Sequence, residues 1–378
     1  MYFFTNRGSL FNLIKYVGGI NMRIIFVYLI IFALYQTSTA QAQNQNQTGT
    51  ILFSAVGDMM LGTTYPQNRI DSDPTLLMFG GADKFLSESD VAMGNLEGTL
   101  YDGDPQPDGK RAGPNRFLFK TPTSWAGLFK AAGFTFLSLA NNHIIDFGQA
   151  GIDSTKKTLR EINLPFASKA GEIATYDIRG SKIAIIAVDY YKGRRSILNL
   201  SALFNEITQL KRQNYLVVVS AHAGGEGASY AKIPDGDEKY LGENRGNSIM
   251  FARGAVDSGA DAIVIQGPHV PRAIEIYKKR VIFYSLGNFL TGKGIDIGGL
   301  AGLAPLVQFK MKKNGEFDSG SVVSFVQRRN PVRVEMDRKS LALKLIQELS
   351  LGQFPETSPI FDGQEFKSQE SALELSKN

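Results

Sequence analysis

The chain has 378 residues, with 41 Lys plus Arg against 36 Asp plus Glu, no cysteine and three histidines. The lack of Cys excludes disulfides, thiolate zinc sites, iron–sulfur clusters and cysteine nucleophiles, and a 43% hydrophobic, 20% charged composition at this length is that of a globular protein with a sizeable core. Of the formal charge of +5, Arg7, Lys15 and Arg23 fall in the first 42 residues, where no acid occurs, and the remaining +2 excludes the basic stripe of a nucleic-acid binder.

The first feature in chain order is an uninterrupted apolar run at 24–35 (IIFVYLIIFALY), preceded by Arg23 and followed by a small, polar stretch ending in Ala40-Gln41-Ala42. This is the basic, hydrophobic and A-x-A pattern of a secretory signal, and it is shorter than the roughly 20 apolar residues of a membrane-spanning helix. Residues 1–42 are therefore expected to be an export signal, with cleavage favoured over retention as an anchor, and the protein is expected in the periplasm or cell envelope. Met22, directly before Arg23, is an alternative start. Residues 43–49 (QNQNQTG) have the polar, low-complexity composition of a linker.

From Ile51 onward short apolar runs recur, each leading into a polar group able to do chemistry. Residues 51–56 precede Gly57-Asp58, 91–93 precede Gly94-Asn95-Leu96-Glu97, and 134–140 precede Asn141-Asn142-His143. Residues 183–188 then lead to Asp189, 216–221 to His222, 262–265 to Gln266-Gly267-Pro268-His269, and 281–286 to Gly287-Asn288. Such runs suit strands buried on both faces. Between them, 123–132, 151–162, 201–212 and 248–258 carry apolar residues at helical spacing, for example Leu203, Phe204, Ile207 and Leu210. The alternation predicts an α/β architecture whose ligands gather at the carboxyl ends of strands. Further on, 272–277 with 281–286, and 306–311 with 322–326, read as hairpins of a second, more antiparallel layer. One domain over 50–335 is expected, then 336–378 as a helix (338–349) and a loosely held tail.

His143, His222 and His269 are the only histidines, and each follows a buried run, as do Asp58 and Glu97. Imidazole, carboxylate and Asn carbonyl donors together suit one or two divalent ions such as manganese, iron(II) or zinc, and a two-metal cluster needs one carboxylate to bridge. Asp146, close after His143, is placed to fix its tautomer, and a His so oriented can act as a general acid. No GxSxG elbow, GxGxxG or Walker motif occurs. Residues 292–302 read as a glycine-rich loop over the strand ends, and 102–108 (DGDPQPD) as a surface loop without calcium-site spacing.

The motifs SAVGDMMLG (54–62), GNLEG (94–98), SLANNHIIDFG (138–148), HAGGE (222–226), GPHV (267–270) and YSLGNF (284–289) resemble, in consistent order, the CapA family of poly-γ-glutamate capsule-synthesis proteins. The resemblance implies a fold similar to calcineurin-like metallophosphoesterases, a four-layer α/β/β/α sandwich. It implies Asp58 as the first metal Asp, Glu97 as a bridging carboxylate, Asn142 as a ligand with His143 as acid beside Asp146, and His222 and His269 as ligands. Gln266 stands where many members have a further His, and Met60, Ile265 and Ala223 also depart from the pattern. Lys120, with Arg111 and Arg116, is placed to hold an anionic substrate.

The function implied is an exported hydrolase or transferase, metal-dependent, acting on an anionic polymer such as poly-γ-glutamate, with a membrane synthase complex as a possible partner and no nucleic acid. Phosphoester and γ-glutamyl amide cleavage share the same site chemistry. The alternative is a non-catalytic, polymer-binding or synthase-accessory protein with a degraded metal site.

Overall fold

In the strand Ser181–Asp189, Ile183, Ile185 and Ala187 face one buried cluster while Ala184, Ile186 and Val188 face another. That period-2 division is what an unbroken apolar run becomes when both faces of its sheet are covered. The computed structural model describes residues 49–375, apart from 71–73, 107, 111–116, 169–170 and 194. The export signal at 1–42 and the residues Arg111 and Arg116 lie outside the described residues.

Two sheets carry the fold. In the ten-stranded sheet, Thr50–Met60 runs parallel to Val91–Leu96 and to Asn288–Thr291, Val91–Leu96 continues in parallel to Phe136–Ser138 and then Phe166–Ala167, and Leu303–Lys312 and Phe317–Arg328 extend the other side in antiparallel fashion. In the six-stranded sheet, Ser181–Asp189, Leu216–His222, Ala262–Gln266 and Arg280–Phe283 are parallel, with antiparallel edges at Ala174–Ile178 and Ile274–Tyr277.

The sheets pack face to face through one buried cluster that joins Phe53, Met93 and Phe136 of the first to Ile185, Val218 and Val264 of the second. Phe309 stacks on Phe53 within its own sheet (4.9 Å, 7°) and meets Phe283 of the other at 5.3 Å. The outer face of the six-stranded sheet is covered by the helices Leu200–Arg212 and Ser248–Asp257 through Leu203, Ile207, Phe251 and Ala255. The outer face of the larger sheet is covered by Ala82–Ser87, Ala126–Ala131 and Gly148–Glu161 through Leu86, Phe129 and Leu159. This is the α/β/β/α sandwich that the resemblance implies. Among the described residues no helix is long and apolar enough to cross a membrane.

Two expectations need correction. The predicted hairpins form, the first turning at Lys278 and Lys279 (φ 47° and 62°) and the second at Gly315 (φ 83°), but they do not make a separate antiparallel layer. One closes an edge of the smaller sheet and the other extends the larger one, because each brings an apolar face to the same inter-sheet core. Nor are the described residues after the helix Leu341–Gln353 loosely held. Ile360–Asp362 and Glu365–Lys367 form a hairpin on Phe317–Arg328, where Phe366 is buried and stacks on Phe317 (5.4 Å, 11°).

Candidate metal centre

The parallel strands of both sheets end at one place. Asp58 reaches it because Gly57 lets two backbones touch: a Cβ there would sit 1.9 Å from the Gly287 carbonyl oxygen, and the Asp58 amide donates to that same oxygen at 2.9 Å. Asp58 is fully buried and fully engaged. Oδ1 accepts from Asn95 Nδ2 (2.7 Å) and lies 3.5 Å from His222 Nδ1, while Oδ2 accepts from the Gly267 amide (3.1 Å) and lies 3.1 Å from His269 Nδ1.

Glu97 is the opposite case. It is buried, yet neither carboxylate oxygen has a hydrogen-bond partner. Around its Oε1 stand the Nε2 atoms of all three histidines: His269 at 3.7 Å, His143 at 3.9 Å and His222 at 4.0 Å. Each ring is held from its far side. Asp146 Oδ2 meets His143 Nδ1 at 2.8 Å, Asn288 Oδ1 meets His269 Nδ1 at 2.9 Å, and Asp58 and Asn95 flank His222 Nδ1. The acceptors at His143 and His269 place a proton on Nδ1 and turn Nε2 toward Glu97.

The electrostatics follow from this crowding. Burial alone would raise the Asp58 carboxyl, but hydrogen bonds and charge from His222 and His269 outweigh it and hold the group below the usual carboxylate range. Burial raises Glu97 well above its ordinary value, and the negative charges of Asp58, Glu226 and Asp146 add to that against the opposing His269. Burial lowers His222, whereas His269 is raised well above the ordinary imidazole value because Glu97 and Asp58 overcome its burial. His269 also holds a left-handed backbone, φ 58°, uncommon outside glycine.

A divalent cation fits these residues. A buried carboxylate without a donor costs several kcal/mol, roughly, unless a charge compensates it. His222 Nε2 and Asn142 Oδ1 are likewise buried without hydrogen-bond partners. Donor atoms of Asp58, Glu97 and His269 lie within 4.8 Å of one another, and ligands at about 2.1 Å from one ion lie no more than about 4.2 Å apart. Glu97, facing all three rings, is placed to bridge.

The remaining candidates are distributed as follows. Asp146 accepts the Phe119 amide (2.8 Å) besides His143 and pairs with Lys110 Nζ (3.0 Å). Gln266 Oε1 accepts from Ser220 Oγ at 3.4 Å and keeps a second lone pair, while its Nε2 is buried without a hydrogen-bond partner. Lys120 Nζ is engaged by the Gly103 carbonyl (2.9 Å), with the Phe147 ring 5.9 Å away. The sequence places Asn95, Asn141 and Asn288 at strand ends and Glu226 in a motif without giving them roles, and it does not single out Lys110. Asn95 precedes Glu97 by two residues and so shares its face of the sheet, a signal that was there to use. Asn141 clamps the turn, donating to Asn95 Oδ1 (3.1 Å) and accepting the amides of His143 and Ile144. Lys110 had no signal, because its position depends on a surface loop folding back so that its amide meets the Asp146 carbonyl (3.1 Å).

An α/β/β/α sandwich with two buried carboxylates and three histidines gathered at its strand ends defines the class: a two-sheet α/β protein with a candidate metal centre. The chain belongs to the bacterial capsule synthesis protein PGA_cap family, whose model matches residues 52–293. It is 29% identical over 365 residues to the capsule biosynthesis protein CapA of Bacillus anthracis, covering 89% of this chain and 83% of that protein. It is 28% identical over 308 residues to the PGA biosynthesis protein CapA of Bacillus subtilis (strain 168), covering 76% of each. A crystal structure of a 5′-nucleotidase precursor from Thermus thermophilus superposes with a TM-score of 0.41 at 11% identity, over 78% of this chain and 57% of that one.

Proposed function

We propose that the protein is an exported, metal-dependent hydrolase or transferase that acts on poly-γ-glutamate or a related anionic envelope polymer during capsule synthesis, next to a membrane synthase. The observation that carries this is the buried, donor-less Glu97 facing three oriented imidazoles. Bound divalent ions would polarise the scissile centre and lower the pKa of an attacking water. Asp58, Glu97, His222, His269 and Asn142 would hold them. Asp58 and Asn288 orient the ligand rings, and Asp146, paired with Lys110, fixes His143 with Nε2 facing the site, where it delivers a proton to the leaving group. The polymer's repeated carboxylates supply the negative charge for which Arg111, Arg116 and Lys120 are proposed as partners.

The test is metal analysis of protein purified without chelators, with phosphodiester and γ-glutamyl peptide assays on wild type and His143→Ala. About one or two ions per chain and an activity lost in His143→Ala support the reading; no bound metal sinks it. A second reading, an accessory that binds polymer or synthase without catalysis, is favoured by Gln266, a weaker donor than imidazole, standing beside His222 on the neighbouring strand. It expects His143→Ala to leave capsule production intact.

A further inference from the structure

Beyond the strand ends, one more carboxylate reaches the cluster. Glu226 lies in the loop after His222, and that loop is pinned on both sides of it: the Gly225 amide donates to Glu238 Oε2 (2.8 Å) and the Gly227 amide to the Pro268 carbonyl (2.9 Å). Glu226 Oε1 accepts from Arg245 Nη1 at 2.8 Å. Arg245 is buried, its guanidinium 4.1 Å from the Tyr190 ring centroid and 5.3 Å from that of Tyr240, and its Nη2 pairs with Glu243 at 3.0 Å.

A carboxylate serving only to neutralise an arginine favours the two-oxygen fork. Here Glu243 takes the other arm, so two carboxylates share one guanidinium and negative charge is left over. Glu226 Oε2 is directed instead to His269 Nε2, 3.8 Å away, nearly the 3.7 Å that separates the same nitrogen from Glu97 Oε1. Each separation is one that two ligands of a single ion can have, since these lie no more than about 4.2 Å apart; Glu226 itself stands outside the group of Asp58, Glu97 and His269, whose donor atoms all lie within 4.8 Å of one another, so its carboxylate would join them by a side-chain shift. Independently, the unpartnered oxygens of buried Glu97 point to a cation at this position.

We propose that Glu226 is a ligand of the ion held by His269 and Glu97, supplying a carboxylate in a chain that has no fourth histidine. This rests on the metal-dependent reading above and deepens it. Two carboxylates to one imidazole make this position oxygen-rich, the donor set of a hard ion such as manganese(II). Arg245 is then a positioning residue, fixing one oxygen of Glu226 so that the other faces the ion, as outer partners do for metal ligands.

The experiment titrates the full chain, stripped by chelator and dialysed, with Mn²⁺ by calorimetry and by the spin-resonance signal of free Mn²⁺. Wild type is compared with Glu226→Gln and Glu243→Gln. Glu226→Gln keeps an acceptor for Arg245 and loses only the charge facing His269; it is expected to bind one Mn²⁺ fewer, or to bind it at least roughly tenfold more weakly, with an unchanged metal-free Tm. Glu243→Gln, which touches the same arginine but not the site, is expected to bind as wild type does. Equal Mn²⁺ binding by wild type and Glu226→Gln overturns the inference and leaves the metal-dependent reading standing. Equal losses in both variants overturn it too, because Glu226 would then act only through Arg245. Wild type binding no Mn²⁺ overturns the inference, whose ion is a hard one, while the metal-dependent reading is decided by the metal content of the purified protein. If Glu226→Gln does not fold, Glu226→Asp, which keeps the charge but shortens the reach, decides: weakened Mn²⁺ binding supports the inference and unchanged binding overturns it.

Discussion

Asp58 Oδ2 lies 3.1 Å from Nδ1 of His269, on the side of the ring away from the Nε2 that faces Glu97. Asp58 Oδ1 stands in the same relation to His222 Nδ1, at 3.5 Å. One carboxylate thus aims two imidazoles, whether or not it also touches an ion. Asp58→Asn removes the charge that fixes both rings while conserving volume. Metal affinity is expected to fall roughly 10- to 100-fold, read by competition with a chromogenic chelator; affinity equal to wild type would show that the two rings need no such support.

The raised Glu97 and His269 make metal uptake depend on pH. Both hold protons above their ordinary pKa values, and a cation must displace those protons to bind. As pH falls, the protons compete better and affinity drops. As pH rises through about 6.5, the ordinary imidazole value, His269 is still losing its proton, so affinity keeps increasing across neutrality. His222, pushed down by burial, is neutral there and adds nothing to the slope. Calorimetric titrations in buffers of different ionisation enthalpy measure the protons released; no release at pH 7 would contradict this account.

Asp146 meets His143 Nδ1 at 2.8 Å, and its proposed action is on that ring rather than on an ion. Asp146→Asn is expected to leave metal content at the wild-type level and to lower activity by roughly 10²- to 10⁴-fold, the range for general acid catalysis. His143→Ala should lose as much, and the double variant little more, because the two work as a unit. Loss of bound metal in Asp146→Asn would instead place His143 among the ligands.

Much of this was legible in the sequence because the informative residues sit on parallel strands. An apolar run covered on both faces, such as 183–188, shows its identity without a partner, and a parallel sheet fixes the end at which its polar residues gather. What was missed depends on distant chain. The tail reads as polar, yet Asp362-Gly363 is a turn signal between two aromatic residues, Phe361 and Phe366, and only the exposed edge of Phe317–Arg328 gives that hairpin a surface to cover. Glu226 was visible in its motif but carried no sign of orientation. Its aim is set by Arg245, which is 19 residues downstream and is itself fixed by aromatic rings from two other segments.

Gly57 links the fold to the site most directly. The strand Thr50–Met60 passes so close to Gly287 that a single methyl at position 57 would overlap backbone, which cannot move aside as a flexible side chain can. Gly57→Ala must therefore separate Thr50–Met60 from the chain at Gly287, breaking the 2.9 Å bond from the Asp58 amide and shifting the Asp58 carboxylate relative to His222 and His269. Phe309→Ala is the useful contrast. It empties the space between Phe53 and Phe283 and should cost about 3–5 kcal/mol, but it lies within the sandwich and touches no ligand. Measured by denaturant titration and by metal affinity under native conditions, Phe309→Ala is expected to lower stability and keep wild-type affinity, whereas Gly57→Ala is expected to lose both. Wild-type metal affinity in Gly57→Ala would mean that the Asp58 carboxylate does not depend on this close backbone contact for its place.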